Sequence, residues 1–228
     1  MELIRLQKFL AQQGFGSRRG CEAFIEKGQV LVNDKKAKLG DKVIGNEDIR
    51  VNGKKVKIAV EKEKIFAFYK PRGVECTMKQ LPEVYSLYDF DFGTKRIFSV
   101  GRLDKDSHGL LLMTNNGDLA HELMHPKYSH EKEYIVSVNK ELTGKHLERL
   151  ENGSILLDEK TVNAAPVKKI KDTVFSIILT EGRNRQIRRM CEAIGLKVVD
   201  LMRVRIGNTH LGSLKEGRTR QLDMKYFK

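Results

Sequence analysis

Cysteine is scarce in this chain and poorly spaced for a framework: Cys21, Cys76 and Cys191 are three, an odd number, and stand far apart. That excludes a disulfide scaffold and a zinc ribbon, and predicts reduced, mostly buried thiols. No apolar run approaches the roughly 20 residues of a spanning helix, and no basic amphipathic segment dominates, so no membrane partner is expected. The opening MELIRLQKFL mixes charge with apolar residues and lacks the apolar core and cleavage site of a secretory signal, which predicts a cytoplasmic protein. A phosphate-binding loop, a dinucleotide fingerprint and a serine-hydrolase elbow are all missing. Acidic residues are also short, 30 against 43 lysines and arginines, for a net charge of +13. A polyanion, and nucleic acid above all, is the expected partner.

What is present falls into two unequal parts. With 228 residues the chain can bury a real core, and a small domain joined to a larger one is expected. Leu3, Leu6 and Leu10 fall at i, i+3 and i+7 and predict a short helix stopped by Gly14. Ser17 can cap a second helix with Cys21, Phe24 and Ile25 on its apolar face and Gly28 at its end. QVLVNDKKAKL then reads as strand, Asn33-Asp34 turn and strand, with more short strands through Val43–Val51. Arg18 and Arg19 occupy the first turn of the second helix, where each cation opposes the helix dipole by about 0.3–1 kcal/mol. A purely structural design avoids that placement. Residues 1–60 carry 13 basic against 7 acidic residues, which fits a phosphate-contacting face, a merely solvated face being the alternative.

The polar, charge-rich NGKKVKIAVEKEK from Asn52 to Lys64 reads as a linker. Beyond it, Ile65–Tyr69 predicts a strand broken at Lys70-Pro71, and Ile97–Val100 and Leu110–Met113 predict two more, the latter buried on both faces. Asp118–His125 reads as a short helix stopped by Pro126, and Arg185–Ile194 as a helix ended by Gly195. Tyr134–Val138, Val174–Leu179 and Lys197–Arg205 supply further strands. Strands outnumber helices without regular alternation, so the larger domain is expected to be α+β around a mostly antiparallel sheet.

His121-Glu122-Leu123-Met124-His125 satisfies the H-E-x-x-H pattern of zinc proteases. The helix carrying it is barely two turns long, Pro126 follows at once, and no segment offers a third ligand. An exposed helix with incidental histidines is the expected reading, and no metal is assigned. The stretch FSVGRLDKDSHGLLLMTN is different in kind. It sets charges between apolar strands, with glycines at both ends of the loop GRLDKDSHG, so a carboxylate there emerges at the edge of the sheet. Taken alone it is a turn aspartate bonding backbone amides.

Resemblance changes that weighting. IRLQKFLAQQGFGSRRGCEAFIEKGQVLVNDKKAKLGDKV resembles the small RNA-binding module named after small-subunit ribosomal protein four. GRLDKDSHGLLLMTNNGDLA resembles the catalytic motif of the pseudouridine synthases, in the branch that modifies ribosomal RNA and carries that module in front. KPRGVECT resembles the branch's first motif, KEYIVSV the segment with its active-site tyrosine, and EGRNRQIRRMCEAIGLKVVDLMRVRIG its third motif. Within the branch, RLDKDSHG, HEKEY and NRQIRRMCE are most similar to the synthase F type, which acts on large-subunit rRNA.

The resemblance implies a ribosomal-protein-S4-like RNA-binding domain with its linker over residues 1–60, and a catalytic domain over 61–228 with a mostly antiparallel mixed β-sheet flanked by helices. It implies isomerisation of uridine to pseudouridine in rRNA, most closely 23S, with 16S rRNA or tRNA as the alternative substrate. A monomer is expected, and no cofactor, since the reaction has no net redox change and no cofactor motif is present; a non-catalytic ribosome-assembly factor is the alternative that the basic N-terminal part alone supports. Asp104 falls on the nucleophile, and Arg188 on the residue that pairs with it. Tyr134 falls on the tyrosine that stacks on the target base, with Ile187 covering the other face and Arg102 filling the space of the flipped nucleotide. Arg5, Arg18, Arg19 and Lys35 become RNA contacts of the N-terminal module, and Arg183 and Arg185 further contacts in the third motif. Ser107 and Asn116 stand where many relatives have threonine and aspartate, substitutions tolerable in a turn.

Overall fold

The computed structural model describes residues 3–58, 62–94, 96–125, 127 and 130–227. The chain divides into two compact units, Met1–Lys62 and Glu63–Lys228.

In the first unit, β1 (Ile4–Arg5) runs straight into α1 (Leu6–Gln12), followed by α2 (Arg18–Glu26) and the short strands β2 (Val30–Val32), β3 (Lys35–Lys36), β4 (Lys42–Val43), β5 (Ile49–Val51) and β6 (Lys54–Lys55). The last strands form an antiparallel sheet in the order β3-β2-β5-β6, while β1 pairs with β4. Ser17 Oγ accepts the Gly20 amide at 3.0 Å and starts α2 where the spacing predicts. Gly28, with φ of +67°, ends it. Asn33 and Asp34 take φ of +49° and +62°, the left-handed pair that a two-residue hairpin turn needs and that these side chains tolerate. Leu3 departs from expectation. It lies 59% exposed ahead of α1, because Ile4–Arg5 pair with Lys42–Val43 before the helix can begin.

The second unit contains β7 (Ile65–Lys70), β8 (Phe98–Val100), β9 (His108–Thr114), α3 (Gly117–Met124), β10 (Lys132–Val138), α4 (Gly144–Glu151), β11 (Leu156–Leu157), β12 (Lys160–Thr161), β13 (Val167–Lys171), β14 (Val174–Leu179), α5 (Gln186–Glu192), β15 (Val198–Ile206), β16 (Thr209–His210) and β17 (Thr219–Leu222). Among the described residues these build a nine-stranded sheet whose main path is β13-β14-β10-β15-β9-β7-β17, with β16 beside β15 and β8 beside β9. β9 and β15 run parallel, pairing Met202 with His108 and Arg203 with Gly109. Every other pairing recorded in this sheet is antiparallel. The fold is therefore the mixed, mostly antiparallel α+β sheet that the strand pattern implies.

β9 is buried along nearly its whole length, which explains the unbroken apolar run Leu110–Met113. One core lies between Tyr134 and Leu201, with Phe175, Met190 and Cys191 at its centre. Another gathers Phe66, Phe68, Val74, Phe92 and Met113 on the other side of the parallel pairing. Asn116 caps α3 by accepting from the amides of Asp118 (2.9 Å) and Leu119 (3.1 Å), so asparagine serves the turn well. The expected stop of that helix, Pro126, lies outside the described residues. Strand β7 extends one residue further than the pattern suggests, through Lys70.

Candidate active site

Between β8 and β9 the chain makes the loop that carries Asp104, and its backbone is tied down on every side. Gly101 opens it with φ of +73°, a conformation costly for any other residue. The Leu103 amide donates to Cys76 Sγ at 3.3 Å. Lys105 O accepts from Gly73 N at 2.8 Å, and Ser107 N donates to Asp104 O at 3.0 Å. The Asp104 carboxylate itself accepts no direct hydrogen bond among the described residues. Its one recorded ion pair is to Arg185, at a loose 3.9 Å, with the carboxylate 32% exposed. A fixed backbone under an unspent, accessible carboxylate is the arrangement a nucleophile or base needs.

Beneath the loop lies Lys70, a buried cation that the sequence pattern did not single out. It is fully buried, and its ammonium donates to Ser107 O and Pro71 O, both at 2.8 Å. Burial pulls its pKa down to about 8, against the opposing pull of Cys76, Asp104, Asp106 and Glu216. A lysine as the last residue of the apolar strand IFAFYK, directly before a proline, was the available signal. Its titration yields a prediction. The unfolded chain holds this proton up to about pH 10.4, the folded one only to about 8. In that window the unfolded state binds more protons, so Lys70 makes stability rise with pH, and below pH 8 its penalty is fully present. Denaturant unfolding across pH 7–11 should show a rise in the parent that is absent in Lys70→Met, a difference on the order of 2–3 kcal/mol.

The third motif requires a correction. Arg188 does not bond the Asp104 carboxylate. Only 7% exposed, it donates to Asp106 O (3.1 Å), Ser107 Oγ (3.3 Å) and Val198 O (3.4 Å), so it braces the loop from behind. Burial, then the nearby Arg185, lowers its pKa, while Asp106 and Asp104 pull the other way. The cation that reaches Asp104 is Arg185, which precedes α5 in a left-handed conformation, φ +47° and ψ +34°. That backbone costs a non-glycine residue about 1–3 kcal/mol and turns its side chain towards the loop. Arg183 is not a free RNA contact either. Its guanidinium donates to Leu157 O, Lys160 O and Thr161 O and pairs with Glu181, locking the β11–β12 hairpin to the start of α5. Ile187 is 4% exposed and belongs to the core, so it presents almost no free face to a base.

Tyr134 stands opposite Arg203 on β15, and Arg203 stands opposite Gly109 on β9, so the tyrosine shares a row with the end of the loop that carries Asp104. Its ring is half-buried, with the Arg203 guanidinium 6.0 Å from its centroid. Arg102 is exposed beside Asp104. A second unforeseen cluster holds the far end of the loop. His108 Nδ1 lies 3.0 Å from Tyr69 Oη, and Nε2 lies 3.1 and 3.2 Å from the Asp200 carboxylate oxygens, which also pair with Arg72 at 3.6 Å.

In the first unit Arg5, Arg18, Arg19 and Lys35 are all exposed, with no acid in the first turn of α2. His121 and His125 are exposed neighbours, 5.5 Å between ring centres. Among the described residues no third ligand joins them.

The RNA pseudouridylate synthase family model matches residues 64–193 and the S4 domain model residues 4–49. The chain belongs to the RNA pseudouridylate synthase family, with an S4 domain ahead of the synthase domain. It is 40% identical to the dual-specificity RNA pseudouridine synthase RluF of Salmonella typhi, over 96% of this chain and 75% of that one. It is 41% identical to the ribosomal large subunit pseudouridine synthase B of Bacillus subtilis, over 96% and 91%. A crystal structure of a pseudouridylate synthase superposes with a TM-score of 0.71 at 28% identity, covering 98% of both chains. The enzyme is an isomerase that makes pseudouridine in RNA.

Proposed function

We propose that this synthase modifies a uridine of large-subunit ribosomal RNA, with Asp104 as the group that reacts with the sugar. The observation that carries the chemistry is the accessible Asp104 carboxylate on a loop whose backbone is pinned by Cys76, Gly73, Lys70 and Arg188. The reaction breaks the bond from ring nitrogen one to the sugar and forms one from ring carbon five. The proton on carbon five leaves, and one returns to nitrogen one. Atoms and electrons balance within the nucleotide, so a carboxylate that attacks or deprotonates the sugar, a base for carbon five and a grip on the free uracil suffice.

Arg185 holds Asp104 without consuming it, since 3.9 Å is an ion pair and not a tight bidentate lock. Tyr134, in the strand row that continues through Arg203 to Gly109, offers the ring on which the turned uracil stacks. A uridine stacked in folded RNA must first leave its stack, and exposed Arg102 beside the nucleophile fills the vacated place. The net charge of +13 and the exposed Arg18, Arg19, Arg5 and Lys35 supply the sequence-independent attraction to phosphate. Large-subunit rRNA is favoured by the likeness to a synthase named for that subunit.

The test is a map of pseudouridine in 23S rRNA, 16S rRNA and tRNA after incubation with the purified protein. A new pseudouridine in 23S rRNA is expected. Modification of 16S rRNA or tRNA alone would overturn the substrate assignment, and none in any RNA would overturn activity at this site.

A further inference from the structure

The S4 unit contains a cleft that the synthase reading leaves unused. About 450 Å3 in volume, it is lined by Gln13, Phe15, Phe24, Val51 and Asn52, with Lys54, Lys55 and Lys57 along the rim. That is large enough for a nucleotide, within the range of small-ligand sites. The construction is specific. Phe15 comes from the turn after α1 and Phe24 from α2, and both stay half-buried although they pack on the unit's core. Val51, 3% exposed, closes the floor. Asn52 begins the left-handed turn into β6, with φ of +51°, and brings Lys54 and Lys55 to the same mouth.

Among the described residues no carboxylate lines the cleft. Of its lysines, Lys55 is paired with Asp48 at 3.2 Å, whereas Lys54 and Lys57 have no recorded ion pair among the described residues. An apolar floor with two aromatic walls accepts a planar ring. The Asn52 carboxamide at the side can read its polar edge, and the two exposed ammonium groups at the mouth favour an anion there. A base joined to its phosphate combines all three properties, and an acidic peptide lacks the planar ring.

We propose that this cleft binds one unpaired nucleotide of the RNA substrate, its base against Phe15 and Phe24 and its flanking phosphates on Lys54 and Lys57. The inference rests on the reading of the chain as an RNA-modifying enzyme. It adds a second grip on single-stranded RNA, in a unit that does no chemistry. Stacking on a π-face tolerates any base, so the cleft sets affinity and register rather than sequence.

The full-length chain should be irradiated with a 23S rRNA fragment substituted with 5-iodouridine and the crosslinked peptides sequenced. A crosslink to Phe15 or Phe24 is expected. On the unsubstituted fragment, Phe24→Leu, which keeps apolar volume but removes the π-face, should bind about 5- to 150-fold more weakly. The double change Lys54→Gln with Lys57→Gln should reduce the slope of log affinity against log salt by about 1.4. Crosslinks confined to other residues, together with unchanged affinity and salt slope, would overturn the proposal. An occupant such as a ribosomal protein gives that same result with naked RNA and counts against it equally. Pseudouridine scored on the same fragment keeps the two readings apart. Absent product with a Phe15 or Phe24 crosslink fails the synthase assignment alone, and normal product with no such crosslink fails the cleft alone.

Discussion

Asp104→Asn is expected to leave a folded, RNA-binding protein that forms no measurable pseudouridine. The substitution preserves shape and removes charge. Its structural cost is small, because the carboxylate makes a single loose pair to Arg185, and a pair exposed to this degree contributes about 0–1 kcal/mol. The chemical cost is large. Losing the group that forms the covalent or proton-transfer step lowers turnover on the order of 10^4-fold or more. The measurement is single-turnover pseudouridine formation at saturating RNA, alongside RNA affinity and the unfolding midpoint. Retention of turnover would place the reactive group elsewhere. Asp106, two residues on, should behave differently when changed to asparagine. It is its backbone oxygen, not its carboxylate, that Arg188 holds, so its turnover should stay near that of the parent.

The second large effect concerns stability. A Cβ added at Gly109 would run into the Arg203 carbonyl oxygen and sit 2.8 Å from its amide nitrogen, in a backbone with φ of +103°. No rotamer relieves a clash between main chains. β9 and β15 must move apart, and the parallel ladder here is recorded at only two residue pairs. Gly109→Ala should therefore cost about 4 kcal/mol or more, an exceptional value for one methyl group. In a unit of this size that lowers Tm by about 8–16 °C. Gly101→Ala is the control. With φ of +73° but nothing within 4 Å, it pays only for the backbone, about 1–3 kcal/mol. Thermal unfolding of both variants beside the parent checks the difference, and equal midpoints for Gly109→Ala and the parent would contradict the close approach.

These expectations draw on elements that the sequence displays unequally. α2 was legible from end to end, because Ser17, the apolar triad and Gly28 are local signals acting on their own residues. The Asn33-Asp34 turn and the runs in β7 and β9 were legible for the same reason. β13, written VKKIK, is nearly all exposed at the sheet's edge, and β17, written TRQL, flanks the other side. An edge strand needs few apolar residues, so its sequence resembles a loop. α4 has Leu150 alone fully buried, and its Thr143 cap pairs with His146, not the usual acid or amide, which hides the helix start. At the site, the motif marked which segments meet but not which arginine does what. RNRQIRRM offers four cations, and only the left-handed backbone at Arg185 decides that this one turns to Asp104 while Arg188 is sealed behind the loop.

The parallel ladder also has a meaning in time. Asp104 and Lys70 belong to the stretch synthesised first, while Tyr134, Arg185 and Arg188 come from the later half, and β15 is the strand that joins the two. Arg188 meets Asp106 across a separation of 82 residues, and contacts so distant along the chain form slowly because their loop must close first. A nascent chain that has released Asp104 but not yet β15 holds part of β9 as an open edge, and its Asp104 carboxylate lacks the pair to Arg185. The chain becomes an enzyme only when its two halves zip together.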